Sequence, residues 1–192
     1  GGIVLYTDAQ QVTETISFTR GGANDVTAEV KLNGNTIAGI LCGDTPLQAG
    51  TDYTVNGGEI TFKAAWLGAL AADGYTLTVS YDPMGEEYVE KKGNDAPAVT
   101  EIALAVEKQP GNVSGLSDLS KIYDGQPVGD VTYTADSKGA ATVEYKTQGA
   151  ADSAYTEEKP SAAGNYTVRV TVAADESYAE ASATADFAIT YL

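Results

Sequence analysis

Histidine is absent from this chain. With it go the usual general base, the Ser-His-Asp and Cys-His nucleophilic arrangements and the commonest zinc ligand. Cysteine occurs once, as Cys42, so no intramolecular disulfide can close and no C-x-x-C pair is available for metal or redox chemistry. Cys42 ends the apolar run Ile40-Leu41-Cys42 and reads as a small buried hydrophobe rather than a reactive thiol. Basic residues are scarce, with 11 Lys and Arg against 27 Asp and Glu and a net charge of -16. Such acidity repels phosphate backbones and anionic lipid heads, which argues against nucleic-acid and membrane-surface partners. No apolar stretch reaches the roughly 18 residues that crossing a bilayer requires, so no membrane insertion is expected. No signal peptide is recognisable, and the chain reads as a mature, processed piece.

What is present is strand material. Hydrophobic residues make up 43% of 192 residues and charged ones 20%, enough to bury a core in one large domain or two small ones. Val30 and Leu32 alternate with Glu29, Lys31 and Asn33. Tyr53 and Val55 precede Asn56-Gly57-Gly58, after which Ile60 and Phe62 alternate with polar neighbours. Period-two runs on both sides of an Asn-Gly turn predict a hairpin. Tyr75, Leu77, Val79 and Tyr81 predict another one-faced strand, as do Ile102-Leu104-Val106, Val131-Tyr133, Val143-Tyr145, Tyr166-Val168-Val170-Val172 and Ala185-Phe187-Ile189. Short alternating strands separated by turn residues predict all-β structure, specifically antiparallel sandwiches. The exception is 64–71, where Trp66, Leu67 and Leu70 fall on one helical face and predict a turn or two of helix ending near Asp73-Gly74.

A polar run from Glu86 to Lys92, followed by Gly93-Asn94-Asp95-Ala96-Pro97, predicts the boundary between two domains, 1–97 and 98–192. A linker this short implies limited hinge motion. The halves echo one another: Asp73-Gly74-Tyr75-Thr76-Leu77 resembles Gly164-Asn165-Tyr166-Thr167-Val168. In each, a turn leads into a Tyr that opens an alternating strand. This is the pattern of a tyrosine corner, in which the hydroxyl bonds back to an upstream backbone group, and it predicts two tandem immunoglobulin-like sandwiches.

Three ordered blocks carry a family resemblance. Leu32-Asn33-Gly34-Asn35, Ala49-Gly50-Thr51-Asp52-Tyr53-Thr54-Val55 and the segment from Leu67 to Val79 follow one pattern across roughly residues 13–90. That pattern resembles the X-type module, of the second kind, of clostridial cellulosome scaffoldins, which is often grouped with carbohydrate-binding modules. The resemblance implies an immunoglobulin-like, non-catalytic domain of a multidomain extracellular protein, with cellulose or cell-wall binding attributed to some members. It brings no fixed set of sugar-contacting residues, and the family usually has Tyr where this chain has Trp66. In the second half, Lys121-Ile122-Tyr123-Asp124-Gly125-Gln126-Pro127, Ala163-Gly164-Asn165-Tyr166-Thr167-Val168 and Ala185-Asp186-Phe187-Ala188-Ile189 resemble the YDG (MBG-type) immunoglobulin-like repeats of bacterial surface proteins. That resemblance implies an array element of a secreted or wall-anchored protein.

Sugar recognition needs an exposed aromatic ring, and aromatic residues are only 8% of the chain. Tyr75, Tyr81, Tyr133, Tyr145 and Tyr166 lie in phase with Leu and Val and are expected to face the cores. Trp66 and Tyr88 are the candidate carbohydrate contacts, although Trp66 shares its helical stripe with two leucines and core packing is its simpler reading. Tyr6, Tyr123, Tyr155 and Tyr178 have no such phase, and Tyr123 is expected to belong to a loop pinned to the sheet. Chance alone supplies carboxylate pairs among so many acids, but glycoside hydrolysis also needs a deep cleft and a desolvated acid that small sandwiches rarely provide. The acids at the boundary (Glu86, Glu87, Glu90, Asp95, Glu101, with Asn94) lack the Asp-x-Asp-x-Asp-Gly calcium loop and read as a solvated face. Lys31 and Lys63 alternate out of phase with their apolar neighbours, which excludes a buried Lys–Asn crosslink.

The sequence therefore predicts a non-enzymatic, cofactor-free and metal-free monomeric fragment of an extracellular or cell-wall-associated bacterial protein. Its first expectation is a spacer, its second a module binding a plant or mucin polysaccharide, its third adhesion to a surface protein.

Overall fold

Apolar side chains at every second position give each strand one face that must leave water, and two such faces close on one another. The computed structural model describes residues 7–82 and 97–192. The chain forms two compact units, Gly1–Glu107 and Lys108–Leu192.

In the first unit β1 (Gln10–Gln11), β3 (Val26–Lys31), β6 (Tyr53–Asn56) and β7 (Glu59–Phe62) form a sheet in the order β1-β3-β7-β6. The facing sheet has the order β2-β9-β8-β4-β5, from β2 (Thr15–Thr19), β4 (Thr36–Cys42), β5 (Thr45–Pro46), β8 (Asp73–Asp82) and β9 (Thr100–Glu107). Ile60, Phe62, Leu67, Leu77, Val79 and Ile102 are 0% exposed between the sheets. Full burial of each such side chain is worth about 1.5–3 kcal/mol. The Asn-Gly hairpin joins β6 to β7 with Asn56 opposite Glu59, and Gly57 takes φ 59°, as the mirror-image hairpin turns require.

The second unit has a four-stranded sheet, β11-β15-β14-β13, built from β11 (Lys121–Ile122), β13 (Ala141–Thr147), β14 (Gly164–Val172) and β15 (Ala181–Thr190). A two-stranded sheet of β10 (Val113–Ser114) and β12 (Thr134–Ala135) accompanies it. Its core gathers Val128, Tyr145, Val168, Val170, Val172, Phe187 and Ile189. Both units are immunoglobulin-like sandwiches.

Four expectations need correction. The division falls after Glu107 rather than at Pro97, because β9 hydrogen-bonds between β2 and β8 and puts Ile102, Leu104 and Val106 in the first core. The sheets are not wholly antiparallel, since β2 pairs with β9 and β11 with β15 in parallel. The helix, α1, spans only Ala64–Gly68. Gly68 weakens its last turn, and the amides of Ala69 and Leu70 bond three residues back to the carbonyls of Trp66 and Leu67. Val131 and Tyr133 lie outside any strand, pairing beginning only at Thr134.

The tyrosine corners form in both halves. The Tyr75 hydroxyl donates to the Ala71 carbonyl at 2.7 Å, and the Tyr166 hydroxyl donates to the Ala162 carbonyl at 2.8 Å. Each tyrosine is the third residue of its strand, β8 or β14, and each reaches back four residues.

Candidate functional site

Beside the first tyrosine corner lies a groove of about 470 Å³, walled by the end of β4, the loop through Thr45 to Asp52, α1 and the start of β8. Antiparallel pairing of β4 with β8 sets Cys42 opposite Leu77 and brings the 42–47 segment alongside Tyr75. Helix α1 supplies Trp66. Asp25 fixes that helix by accepting the Ala64 amide at 2.8 Å, and Arg20 donates its guanidinium to the Leu70 carbonyl just beyond it. The Ala64 amide, helped by Lys63 at 3.4 Å, holds the Asp25 carboxyl below the usual carboxylate range.

With the helix cut to five residues, the stripe Trp66-Leu67-Leu70 divides. Leu67 is fully buried, whereas Trp66 and Leu70 are half-buried against the core and line the groove. The Trp66 ring leans on Phe62 at 6.0 Å between centroids and 36° between planes. Core packing and groove lining are thus both true of Trp66. Tyr75, Cys42, Pro46 and Leu47 complete the apolar wall, and Thr45, Thr76 and Asp52 give it polar edges. Burial pushes the Cys42 thiol up, so that its thiolate fraction is small near neutrality.

Among the described residues the groove has one carboxylate, Asp52, whose Oδ2 accepts the Gln48 amide at 2.7 Å and so holds the loop. Hydrolysis of a glycosidic bond uses two carboxyl groups flanking the bond. The groove lining offers, among the described residues, an apolar wall with polar edges and a single carboxyl group. Among the described residues no group of three or more Cys, Asp or Glu is placed to hold a metal ion.

Beside the Tyr166 corner the second unit has a counterpart of about 320 Å³, and its chemistry is different. Tyr145 and Tyr166 line it with Lys146, Glu158 and Lys159. Both lysines are engaged, Lys146 with Asp152 at 3.2 Å and Lys159 with Asp130.

The remaining aromatic residues are distributed as follows. Tyr81 and Tyr145 are buried, and Tyr75 and Tyr166 pack half-buried against the cores, as their strand phase predicted; Tyr133 packs half-buried as well, though from outside any strand. Tyr155 and Tyr178 are half-buried too, Tyr155 lying under the Arg169 guanidinium at 4.0 Å. Tyr123 is exposed, with its ring 5.1 Å from that of Tyr191; its loop is pinned by its own amide donating to the Thr190 carbonyl and by a Lys121–Asp124 ion pair at 2.6 Å. Tyr88, Tyr6 and the boundary acids Glu86, Glu87, Glu90 and Asp95 lie outside the described residues, while Glu101 is exposed on β9. Sequence reasoning reached Trp66 and missed its neighbours Cys42, Pro46 and Leu47, for which the only signal was the Tyr75 corner that the segment wraps.

Residues 11–89 match the family described as Carbohydrate binding domain X2. Curated relatives include cellulose-binding protein A of Clostridium cellulovorans, 33% identical over 109 residues (50% of this chain, 5% of that protein). Another is endoglucanase B of Paenibacillus lautus, 42% identical over 50 residues (26% of this chain, 9% of that protein). The chain thus corresponds to a small part of either relative. Similar solved structures include a tri-modular endo-β-1,4-glucanase from Bacillus licheniformis, at 17% identity and TM-score 0.41 over 95% of this chain and 38% of that one. The titin domains z1z2 align at 13% identity and TM-score 0.44, over 98% of this chain and 100% of that one.

Proposed function

We propose that this chain is a non-catalytic segment of a larger secreted or cell-wall-associated bacterial protein, and that its first unit holds a polysaccharide in the groove lined by Trp66. The observation that carries this reading is the position of Trp66. It is anchored on Phe62 yet half-exposed in a groove whose other walls are Tyr75, Leu70 and Pro46. A pyranose has an apolar face that stacks on such a ring, and its hydroxyls meet edges like Thr45, Thr76 and Asp52. The match of residues 11–89 to a carbohydrate-binding family, and the name of a cellulose-binding relative, support cellulose as the first polymer to test.

We propose that the second unit serves as a spacer. The observation favouring this role is its counterpart groove, where Lys146 and Lys159 are already engaged by carboxylates. The segment acts as a monomer, and its net charge of -16 opposes self-association.

Native gels cast with carboxymethyl cellulose, xylan, arabinoxylan, pectin or mucin test the reading, with Trp66→Ala and Tyr123→Ala run beside the unaltered chain. Retardation by one polymer, lost in Trp66→Ala and kept in Tyr123→Ala, is the expected result. Unretarded migration in every gel would leave the whole chain a spacer and direct attention to protein partners.

A further inference from the structure

The polysaccharide reading leaves unexplained a difference in how the two units are closed. In the first, β2 and β9 run parallel over five register pairs, Thr15 opposite Ala103 through Thr19 opposite Glu107. The ladder extends at both ends, the Ala103 amide donating to the Glu14 carbonyl at 2.9 Å and the Arg20 amide to the Glu107 carbonyl at 2.8 Å. In the second, the corresponding parallel pair of β11 and β15 has two register pairs, Lys121 opposite Ile189 and Ile122 opposite Thr190. This shorter ladder is also extended, the Tyr123 amide donating to the Thr190 carbonyl at 2.8 Å and the Ala188 amide to the Ser120 hydroxyl at 3.1 Å, and further ties near the start of the unit include a bridge between Gln109 and Tyr178 and the two-residue pairing of β10 with β12.

Direction matters as much as length. The chain enters β2 at Thr15 and leaves β9 at Glu107, which are opposite ends of one parallel ladder. Tension applied through the chain therefore pulls the two strands past each other along their axes. Every ladder hydrogen bond resists at once, whereas a hairpin pulled from its open end yields bond by bond. Among the described residues, the strand ahead of this ladder is β1, whose two register pairs to β3 can peel away early. Survival under force is set by the barrier to unfolding rather than by equilibrium stability, so a simultaneous rupture of the longer ladder demands the higher force.

We infer that the first unit is a force-bearing link, clamped by the β2–β9 ladder, and that under tension the second unit opens before it. This assigns the chain a mechanical function independent of any ligand: the groove-bearing unit stays folded while the other extends and absorbs the pull.

Single-molecule stretching of the full chain, held by tags at its two ends, tests this. A flexible Gly/Ser stretch inserted at the exposed turn Gln148-Gly149 lengthens only the release step of the second unit and so identifies it. The expected trace has two steps, with the lengthened one at lower force. A second variant, Ala103→Pro, removes an amide that donates across the ladder while leaving the apolar face of β9 intact. Its urea transition, followed by Trp66 emission, checks that it folds, and its unlengthened step should fall toward the force of the other. The inference is overturned if the lengthened step comes at the higher or at the same force, or if folded Ala103→Pro leaves the unlengthened step unchanged. Should Ala103→Pro not fold, the order of the two steps in the insertion variant decides alone.

Discussion

Replacing Tyr75 by Phe removes one hydroxyl and nothing else. The ring keeps its place against the core and in the groove wall, and the bond from the hydroxyl to the Ala71 carbonyl at 2.7 Å is lost. That carbonyl lies near solvent and can be rehydrated, so the loss should be the net value of one hydrogen bond, about 0.5–1.5 kcal/mol, without the penalty of a stranded buried group. At a urea dependence of about 1.5 kcal/mol/M, the midpoint should fall by about 0.3–1 M with an unchanged slope. The chain contains one Trp, Trp66, which lies in the first unit, so its emission follows that unit specifically. A midpoint unmoved by Tyr75→Phe would refute the corner as a stabilising contact. A shift worth more than about 3 kcal/mol would show that the ring itself had been displaced. Tyr166→Phe, whose ring is stacked on Phe187 at 5.5 Å, should produce a matching loss in the second unit, read by amide exchange of β14.

Leu67→Ala, at a fully buried site, should destabilise the first unit by about 2–5 kcal/mol, whereas half-buried Trp66→Ala should cost less in stability while abolishing glycan retention; urea titrations followed by circular dichroism separate the two. Gly58→Ala should destabilise by more than about 1 kcal/mol, because the added Cβ would lie 2.3 Å from the Val30 carbonyl oxygen, and a thermal melt reads the loss directly. Acid should weaken both units. Asp25 is held below its ordinary value of 3.8 chiefly by the Ala64 amide, and Asp175 chiefly by the Lys138 amide, followed by those of Tyr178 and Ser177. A carboxylate whose pKa is depressed by folding stabilises at pH values above 3.8 and loses that contribution as pH falls through its lower folded value. Melting temperatures should therefore drop steeply below about pH 4, and Asp175→Asn should flatten the drop in the second unit.

Much of this fold is legible because its signals are local. The β6–β7 hairpin announces itself in Asn56-Gly57, and both corners in a Tyr placed just inside a strand. The domain boundary is illegible for the opposite reason. Nothing within Thr100–Glu107 distinguishes a strand that opens a second sandwich from one that closes the first, and its pairing with β8 and with β2, far upstream in sequence, decides. The candidate site divides in the same way. Trp66 stood out by residue type, but its half-exposed position depends on where α1 stops, which Gly68 and the tightened final turn determine. Cys42, Pro46 and Leu47 join it only through the register of β4 on β8.

The proposed polysaccharide site at Trp66 is tested most directly by titrating the intact chain with soluble carboxymethyl cellulose and, separately, xylan, following Trp66 emission while measuring alkylation of Cys42, which lines the same groove. A polysaccharide held in the groove should give a saturable change in emission with at least one polymer and slower alkylation of Cys42 over the same concentrations. Emission and alkylation unchanged by either polymer would contradict the proposed site.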